Sequence, residues 1–282
     1  MIAKQTLVSN LLNGARQFRI PIYQRPYSWN EPQCRQLFDD VVRVAQSEEN
    51  HIHFMGSVVY VEGGDTVATA VTQLLVIDGQ QRLTTVSLVV EALARSIEAQ
   101  EEGASQEVTP RKLRNYFLFN AEEDGDQRFK LVLSLPDDET LRALLRERDL
   151  PPEHSRRLQE NLELFQEWIG DCELSPGELY RGLSRLMVVE VALDRTHDNP
   201  QLIFESLNST GLDLSQADLV RNYVLMGLEP SLQTELYERH WAPMERLLGE
   251  QGGPATFDHF LRAWLTLRTG EVHKTDRGYE VF

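Results

Sequence analysis

Apolar residues recur along this chain at two spacings, and the spacings predict where helices and strands lie. A period of three to four residues predicts an amphipathic helix over about 80–100. The apolar stripe of that helix consists of Leu83, Val86, Val90, Leu93 and Ile97. The same period predicts a helix over about 31–46 and another around 158–169.

Runs rich in valine and threonine predict the strands. Two such runs, 54–61 and 66–77, are joined by Glu62-Gly63-Gly64-Asp65, which is typical of a hairpin. The apolar run 186–193 predicts a late strand. We expect this strand to return to the sheet that the start of the chain forms.

Together these elements predict an α+β fold in three parts, with a large and mostly helical C-terminal portion. The parts are an α/β unit over 1–100, a helical insertion over 101–185, and the returning strand with a helical subdomain over 186–282.

Length and composition are those of a soluble globular protein. The chain has 282 residues, of which 41% are hydrophobic and 26% charged. No apolar stretch approaches the roughly 20 residues that span a bilayer, and the N-terminus lacks the apolar core of a signal peptide. Two cysteines, Cys34 and Cys172, are too few for a disulfide framework or a thiolate metal site. We therefore expect a cytoplasmic protein with no membrane partner.

The net charge of −16 argues against DNA binding through bulk electrostatics. Its distribution weakens that objection, because residues 1–37 carry five basic residues and a single acid, Glu31. The basic residues are Lys4, Arg16, Arg19, Arg25 and Arg35. They predict a local basic surface that can contact phosphates.

Residues 78–85, DGQQRLTT, lie between the apolar run 74–77 and the predicted helix. A polar turn between a buried strand and a helix N-terminus offers backbone N–H groups and the positive end of the helix dipole, and both favour phosphate. Arg82 adds a planar guanidinium group. Asp78 fits an anion site only if it holds a metal ion or orients a water. The alternative is an Asp-Gly hairpin turn, but the helical pattern that follows argues against a second strand.

Residues 20–30, IPIYQRPYSWN, cannot form a surface helix because two prolines interrupt them. Gln24 and Arg25 therefore lie on a restrained, extended segment between aromatic rings. Asn30 is a predicted N-cap, with Gln33 three residues later. Alternatively the aromatic residues belong to the core and Arg25 is a surface charge, although this leaves the Gln-Arg pair unexplained.

Residues 204–219 predict the end of one helix, a short polar turn and a new helix. Ser215 is the predicted N-cap of the second helix, and Asp218 completes a capping box. Asn208, Ser209 and Thr210 place polar side chains in the turn. Taken alone, a well-capped helix–turn–helix explains this segment.

Taken together, the three segments resemble the domain at the N-terminus of the GmrSD type IV restriction enzymes and of SspE, the effector of a phosphorothioate-based defence system. The matching pieces are IPIYQRPYSW at 20–29, VIDGQQRLTT at 76–85 and FESLNSTGLDLSQADLVRN at 204–222. Such domains resemble the ParB/sulfiredoxin fold in their N-terminal half, where the equivalent turn handles nucleotide phosphates. No motif of the family matches between 100 and 185.

The resemblance implies hydrolysis of an NTP, ATP or GTP, with Mg²⁺, coupled to cleavage of modified and often phage DNA. The implied catalytic residues are Asp78, Gln80, Gln81 and Arg82, and Asp78 is also the implied metal ligand. The implied nucleotide contacts are Gln24, Arg25, Gly79, Thr84 and Asn208. In fused family members a nuclease of the His-Asn-His type follows. The chain stops at Phe282 in mid-pattern, so we expect a nuclease domain or subunit as a partner.

A second hypothesis is a non-catalytic module that binds modified DNA. Tyr23, Tyr27 and Trp29 would stack on the modification, with Arg19, Arg25 and Arg82 on backbone phosphates. A scaffold or antitoxin-like protein is a third hypothesis, but it leaves residues 78–85 without a purpose. The sequence leaves the oligomeric state open, a homo-oligomer included.

Other polar groups are assigned no chemistry. His51 and His53 lack a third ligand, which favours an exposed pair in a loop over a metal site. The acidic runs 122–124 and 137–139 are typical of solvated helix caps. The sequence has no Walker-type loop, so an NTPase here must hold phosphates in another way.

Overall fold

The chain divides into two units in a computed structural model. The first unit comprises residues 1–21 and 26–198, and the second comprises residues 22–25 and 199–282. The structure describes residues 1–47, 51–62, 71–99, 108–135, 137–194, 197–208, 214–252, 255–274 and 277–282.

A six-stranded mixed sheet organises the first unit. Its strands are β1 (Ile2–Leu7), β2 (Arg16–Arg19), β3 (His53–Glu62), β4 (Thr72–Asp78), β5 (Leu131–Val132) and β6 (Leu186–Leu193). Their spatial order is β1-β6-β3-β4-β2-β5. The β1–β6 and β3–β4 pairs are antiparallel, whereas β6–β3, β4–β2 and β2–β5 are parallel.

The predicted late strand is present as β6 and joins the sheet between β1 and β3. β3 and β4 are antiparallel neighbours, as expected of a hairpin, while residues 63–70 lie outside the described part of the chain. The predicted strand 66–77 is described only from Thr72. The segment predicted as a helical insertion also contributes β5 to the sheet, a strand too short for any period in the sequence to reveal.

The helices of the first unit are α1 (Val8–Leu11), α2 (Glu31–Gln46), α3 (Gln80–Ala99), α4 (Pro110–Phe117), α5 (Asp137–Leu145), α6 (Arg156–Asp171) and α7 (Pro176–Ser184). Asn30 precedes α2 as predicted, and its N–H donates to Gln33 Oε1 at 2.9 Å. Because α3 packs against α4, α6 and α7, every residue from 83 to 94 is buried. The prediction that α3 is amphipathic is therefore wrong for most of its length.

One charged residue, Glu91, lies inside the buried stretch 83–94 of this helix. Glu91 is fully buried, and its carboxylate receives Arg95 Nε at 2.9 Å and Arg114 Nε and NH2, each at 2.9 Å. Two guanidinium groups thus offset the desolvation of one carboxylate, which is the condition under which a buried charge is tolerated.

The acidic run 137–139 is not the solvated cap that the sequence predicted. Asp137 and Asp138 are buried at the start of α5. Asp137 Oδ2 accepts from Tyr27 N–H at 2.6 Å, and Asp138 Oδ1 accepts from Leu133 N–H at 3.0 Å. Burial raises the pKa of both carboxyl groups. These two residues tie loops to the core instead of facing water.

All regular secondary-structure elements described in the second unit are helices. Its helices are α8 (Pro200–Asn208), α9 (Gln216–Leu225), α10 (Pro230–Leu236), a π-helical turn (Tyr237–Trp241), α11 (Ala242–Gly252), α12 (Ala255–Thr269) and α13 (Gly278–Val281). Ala217, Val220, Phe257 and Leu261 form its core. The predicted capping box of α9 is present, with Asp218 N–H donating to Ser215 Oγ at 3.0 Å. Among the described helices of both units, none is long and apolar enough to cross a membrane.

Candidate functional site

The segment 78–85 forms a strand–turn–helix, which excludes the hairpin alternative. β4 ends at Asp78, Gly79 makes the turn with φ +100°, and α3 begins at Gln80. A Cβ on Gly79 would lie 2.9 Å from the Ser57 carbonyl oxygen and 3.0 Å from Val58 Cγ2. The glycine is therefore required both by its backbone conformation and by the close approach of β3.

Arg82 is held in place on the first turn of α3. Its NH1 group donates to the Ser57 carbonyl at 2.7 Å and to Asp78 Oδ2 at 3.3 Å. Ser57 Oγ donates to the same Asp78 oxygen at 3.3 Å. Asp78 and Arg82, both predicted site residues, are thus brought together as a partly exposed ion pair.

The strand that faces Arg82 is irregular at this place. The pairing of β3 with β6 shifts register between Phe54 and Ser57, and Gly56 lies inside the shift with φ +110°. A bulge of this kind re-aims backbone groups next to functional sites. Neither Gly56 nor Ser57 was predicted as a site residue. A glycine inside a run of strand-forming residues was the available signal.

Gln81 joins the second motif to the first. Its Oε1 accepts from Ser28 N–H at 2.8 Å and Trp29 N–H at 3.3 Å, while Nε2 donates to the Pro26 carbonyl at 3.3 Å. The side-chain amide therefore fixes the path of residues 26–29 beside the start of α3.

Tyr27 lies in the core beneath this connection. Its buried hydroxyl bonds Thr85 Oγ1 at 2.8 Å and accepts from Asn161 Nδ2 at 3.0 Å. Burial is the main cause that raises the pKa of Tyr27. Asn161 also donates to the Trp29 carbonyl at 2.9 Å, so this residue of α6 supports the site although no sequence motif contains it. A polar residue on the apolar face of α6 was the only signal.

A cleft of about 380 Å³ opens beside Arg82 between α2 and β3. Its walls include Trp29, Gln33, Gln36, Arg43, Phe54 and Arg82. One wall carries a charged cluster: Asp40 Oδ2 receives His53 Nε2 at 3.0 Å, and Asp40 Oδ1 receives Arg43 NH2. The Arg43 group also bonds His53 Nδ1 at 3.2 Å. His53 is thus not half of an exposed loop pair, as the sequence predicted, but fixes Arg43 at the cleft.

Other predicted contacts are not part of this arrangement. Thr84 is buried, and its Oγ1 donates to the Gln80 carbonyl of its own helix at 2.8 Å. Arg19 lies on β2, where NH1 donates to Gln17 Oε1 at 3.1 Å. Of the predicted N-terminal basic surface, Lys4 and Arg16 pair with Glu190, at 3.2 and 3.3 Å. The Glu190 carboxylate therefore partly neutralises that surface.

Tyr23, Gln24 and Arg25 belong to the second unit. There Arg221 Nε donates to the Tyr23 carbonyl at 2.6 Å, and the buried Arg221 guanidinium also pairs with Asp218, at 2.7 Å, and with Glu245. Arg221 lies in the third motif but was not predicted as a site residue. Asn208 ends α8, and its side chain lies outside what the structure describes, as do residues 209–213.

The described residues contain no group of three or more His, Cys, Asp or Glu side chains arranged to hold a metal ion. A metal at the turn would therefore need oxygen ligands from a substrate or water in addition to Asp78.

The family model described as "GmrSD restriction endonuclease, N-terminal domain" matches residues 8–225. This span includes all three motifs and most of the chain. The chain belongs to this family. Membership confirms the resemblance drawn from the motifs and gives the chain a role in a restriction system, which implies interaction with DNA and a nuclease domain elsewhere. No curated protein matches the chain.

Proposed function

We propose that this chain is the NTP-hydrolysing, modified-DNA-sensing domain of an antiphage restriction system and that it controls the nuclease domain or subunit. The proposal rests mainly on the position of Arg82. Hydrogen bonds to the Ser57 carbonyl and Asp78 hold its guanidinium at the strand–helix turn, on the edge of a cleft. Backbone N–H groups at a helix start and a rigid guanidinium favour the same ligand, a phosphate chain.

The rest of the cleft supports a nucleotide as that ligand. Arg43 supplies a second guanidinium, which Asp40 and His53 hold in place. Trp29 and the half-exposed Phe54 supply aromatic surface of the kind on which bases stack. In this assignment the phosphates lie towards Arg82 and Arg43, and the base lies towards the aromatic residues.

Asp78 fits the Mg²⁺ that an NTP brings with it. Its Oδ2 receives Arg82 and Ser57, and its side chain is partly exposed at the end of β4. Mg²⁺ in phosphoryl-transfer sites binds one or two carboxylates together with substrate phosphates and water, so a single aspartate is sufficient. The ion would supply charge neutralisation at the phosphates.

In the proposed reaction a water oxygen attacks the γ-phosphorus, the bond to the β,γ-bridging oxygen breaks, and the products are an NDP, phosphate and a proton released to solvent. Arg82 stabilises negative charge on the phosphoryl oxygens. The sequence implied Gln80 or Gln81 as the group that orients the water. Because the Gln81 amide bonds residues 26–29 at both ends, we assign that role to Gln80 and a positioning role to Gln81.

Gln24, Arg25, Gly79 and Asn208 stay proposed nucleotide contacts on the motif resemblance, whereas Thr84 is withdrawn because it is buried and its hydroxyl donates to the Gln80 carbonyl. For Gly79 the strand–helix turn adds support, since the residue directly precedes the N–H groups at the start of α3. The same turn is the feature on which the proposed likeness of the first unit to the ParB/sulfiredoxin fold rests.

The competing hypothesis is a non-catalytic module that stacks aromatic side chains on a DNA modification. Fewer aromatic residues are available for such stacking than the sequence indicated. Tyr23 and Tyr27 are buried, and the Tyr27 hydroxyl is engaged by Thr85 and Asn161. Trp29 is the remaining predicted ring, and it lines the cleft. A Trp29 platform serves a nucleotide as well as a DNA base.

The test is phosphate release with each of the four NTPs and Mg²⁺, by the wild-type chain and by Asp78→Asn and Arg82→Gln. Arg181→Gln is the matched control, since it removes an exposed arginine on α7. We expect turnover that both site variants lose and the control keeps, with all four proteins folded by circular dichroism. Turnover that survives in both site variants contradicts the assignment of the site. Binding of a non-hydrolysable NTP without any turnover, with or without DNA, contradicts the assignment as an enzyme.

A further inference from the structure

Three arginines of the first unit, Arg128, Arg142 and Arg146, stack on two neighbouring aromatic rings. Arg19 and Arg148 lie near enough for their charges to act on Asp126 and Arg146, respectively, and the five are referred to below as the arginine patch. Hydrogen bonding by Arg142, together with the nearby charges of Arg142, Arg19 and Arg146, holds the pKa of Asp126 below its usual value. Burial and the adjacent charges of Arg148, Arg142 and Arg128 lower the pKa of Arg146.

Two aromatic rings hold three of these guanidinium groups in place. Phe119 and Phe129 pack edge to face with ring centroids 5.7 Å apart. The Arg128 guanidinium carbon lies 5.1 Å from the Phe119 centroid, and those of Arg142 and Arg146 lie 4.7 and 4.6 Å from the Phe129 centroid. Stacking on a ring fixes an arginine without consuming its hydrogen-bond donors.

The charges of the patch are only partly neutralised. Arg142 pairs with Asp126 at 2.5 Å and with Asp138 at 2.6 Å. Within the described ranges of the chain, no carboxylate lies within 4.0 Å of the guanidinium nitrogens of Arg128, Arg146 or Arg148. The chain as a whole carries 44 acidic residues and 28 lysines and arginines, so a cluster of positive charge is unexpected on this acidic protein. Like charges held together cost free energy unless an anion from outside binds them.

We propose that the arginine patch binds the phosphate backbone of duplex DNA. The patch consists mainly of residues in 101–185, where no family motif was matched, and it includes Arg19, for which the sequence already implied DNA contact. The inference deepens the proposed function and depends on it only for the identity of the polyanion. Guanidinium groups match phosphate with two parallel hydrogen bonds, and a duplex presents one phosphate charge about every 1.7 Å along its axis.

A patch made of arginines alone suits the repeating charge of a DNA backbone, because phosphate contacts position a protein on the duplex and carry no sequence information directly. We therefore assign the patch affinity and orientation on the duplex, while recognition of the modification lies elsewhere. Its binding is then independent of sequence and strongly dependent on salt.

The test is fluorescence anisotropy with a labelled unmodified duplex of about 30 base pairs across a salt series, with the wild-type chain and the triple variant Arg128→Ala/Arg146→Ala/Arg148→Ala. The matched control is Arg35→Ala/Arg156→Ala/Arg181→Ala, which removes the same charge from exposed arginines on α2, α6 and α7. We expect the patch variant to raise Kd about tenfold or more and to reduce the slope of log K against log salt by about 3, one for each phosphate that the variant no longer neutralises. The control is expected to change both values much less.

Arg128 and Arg146 also pack on aromatic rings, so Arg148→Glu alone serves as the milder variant should the triple variant unfold. It is expected to weaken binding several-fold. NTP turnover without DNA, measured on the same proteins, separates this inference from the proposed function, because weaker DNA binding with unchanged turnover supports the patch whatever turnover the wild type shows. Equal losses of affinity in the patch and control variants, or no binding by the wild-type chain at about 50 mM salt, overturn the proposal.

Discussion

The guanidinium of Arg82 lies directly against Gly56. A Cβ atom on Gly56 would be 3.0 Å from Arg82 Nε and 3.1 Å from Cζ, which is tighter than most Cβ contacts, so the guanidinium would have to shift. The two residues are 26 positions apart. Because Gly56 has no side chain, the Arg82 guanidinium has room to reach the Ser57 carbonyl and Asp78. The position of the proposed phosphate-binding group thus depends on a glycine in the neighbouring strand.

Gly56→Ala is expected to displace Arg82 and abolish most NTP turnover. The backbone strain of an alanine at φ +110° costs about 1–3 kcal/mol of stability, and the new methyl group pushes the guanidinium off the Ser57 carbonyl. Turnover and the chemical denaturation midpoint are measured on the same preparation.

Gly14→Ala is the matched control for that strain. Gly14 also has positive φ, at +83°, but nothing lies within 4 Å of the Cβ it would acquire. It is expected to lose a comparable amount of stability and no turnover. If the two variants lose turnover equally, the close approach of Gly56 to Arg82 does not contribute to turnover.

Gln81→Ala and Gln80→Ala are expected to differ although the residues are adjacent. Gln81→Ala leaves the Ser28 and Trp29 N–H groups without their acceptor, at a cost of about 2 kcal/mol and a fall in Tm of about 4–8 °C. Gln80→Ala is expected to lower turnover with a smaller loss of stability. Thermal unfolding by differential scanning calorimetry, together with phosphate release, gives both quantities. The reverse pattern would exchange the two proposed roles.

Local patterns predicted the elements that frame the site. The change of period at Asp78 and Gly79 located the strand–turn–helix, and Asn30 and Ser215 marked the starts of α2 and α9. Such signals depend on residues a few positions apart, so a single sequence contains them. The family followed from the joint presence of three motifs, which the match over residues 8–225 confirms.

The supporting residues could not be predicted because their roles depend on distant partners. Asn161 is 134 positions from the Tyr27 hydroxyl it contacts, and Arg221 is 198 positions from the Tyr23 carbonyl. Period alone also predicted a solvent-facing side for α3, which α4, α6 and α7 cover. Side-chain spacing shows which residues share a face, but it does not show how many faces will be buried.

Glu91→Ala is expected to destabilise the first unit by about 3–5 kcal/mol, because it leaves Arg95 and Arg114 without the buried carboxylate they share. The matched control is Glu98→Ala, which removes an exposed carboxylate from the same Arg114 and is expected to cost less than about 1 kcal/mol. Urea unfolding followed by circular dichroism measures both. Similar losses would mean that the network stabilises through surface charge and not through the buried pair.

Burial of Lys130 makes the free energy of unfolding depend on pH in the alkaline range. It is buried, with its Nζ donating to the Gly14 carbonyl at 2.7 Å and to Asn120 Oδ1 at 3.0 Å, and no carboxylate among the described residues pairs with it. Burial, followed by the charge of Arg16, lowers the pKa of Lys130 to about 8. In the unfolded chain a lysine titrates near about 10.4.

Between these two values the unfolded state binds more protons than the folded state, so the contribution of Lys130 to the free energy of unfolding rises with pH. Below pH 8 the folded state carries the full cost of the buried charge, and this cost is relieved as the pH increases towards 10. We expect the free energy of unfolding of the wild type relative to Lys130→Met to increase by about 1–2 kcal/mol from about pH 7 to about pH 10. The comparison with Lys130→Met cancels the titration of every other group that both proteins share. A difference that stays constant, or falls, over this range would show that the Lys130 ammonium is not destabilised by its burial.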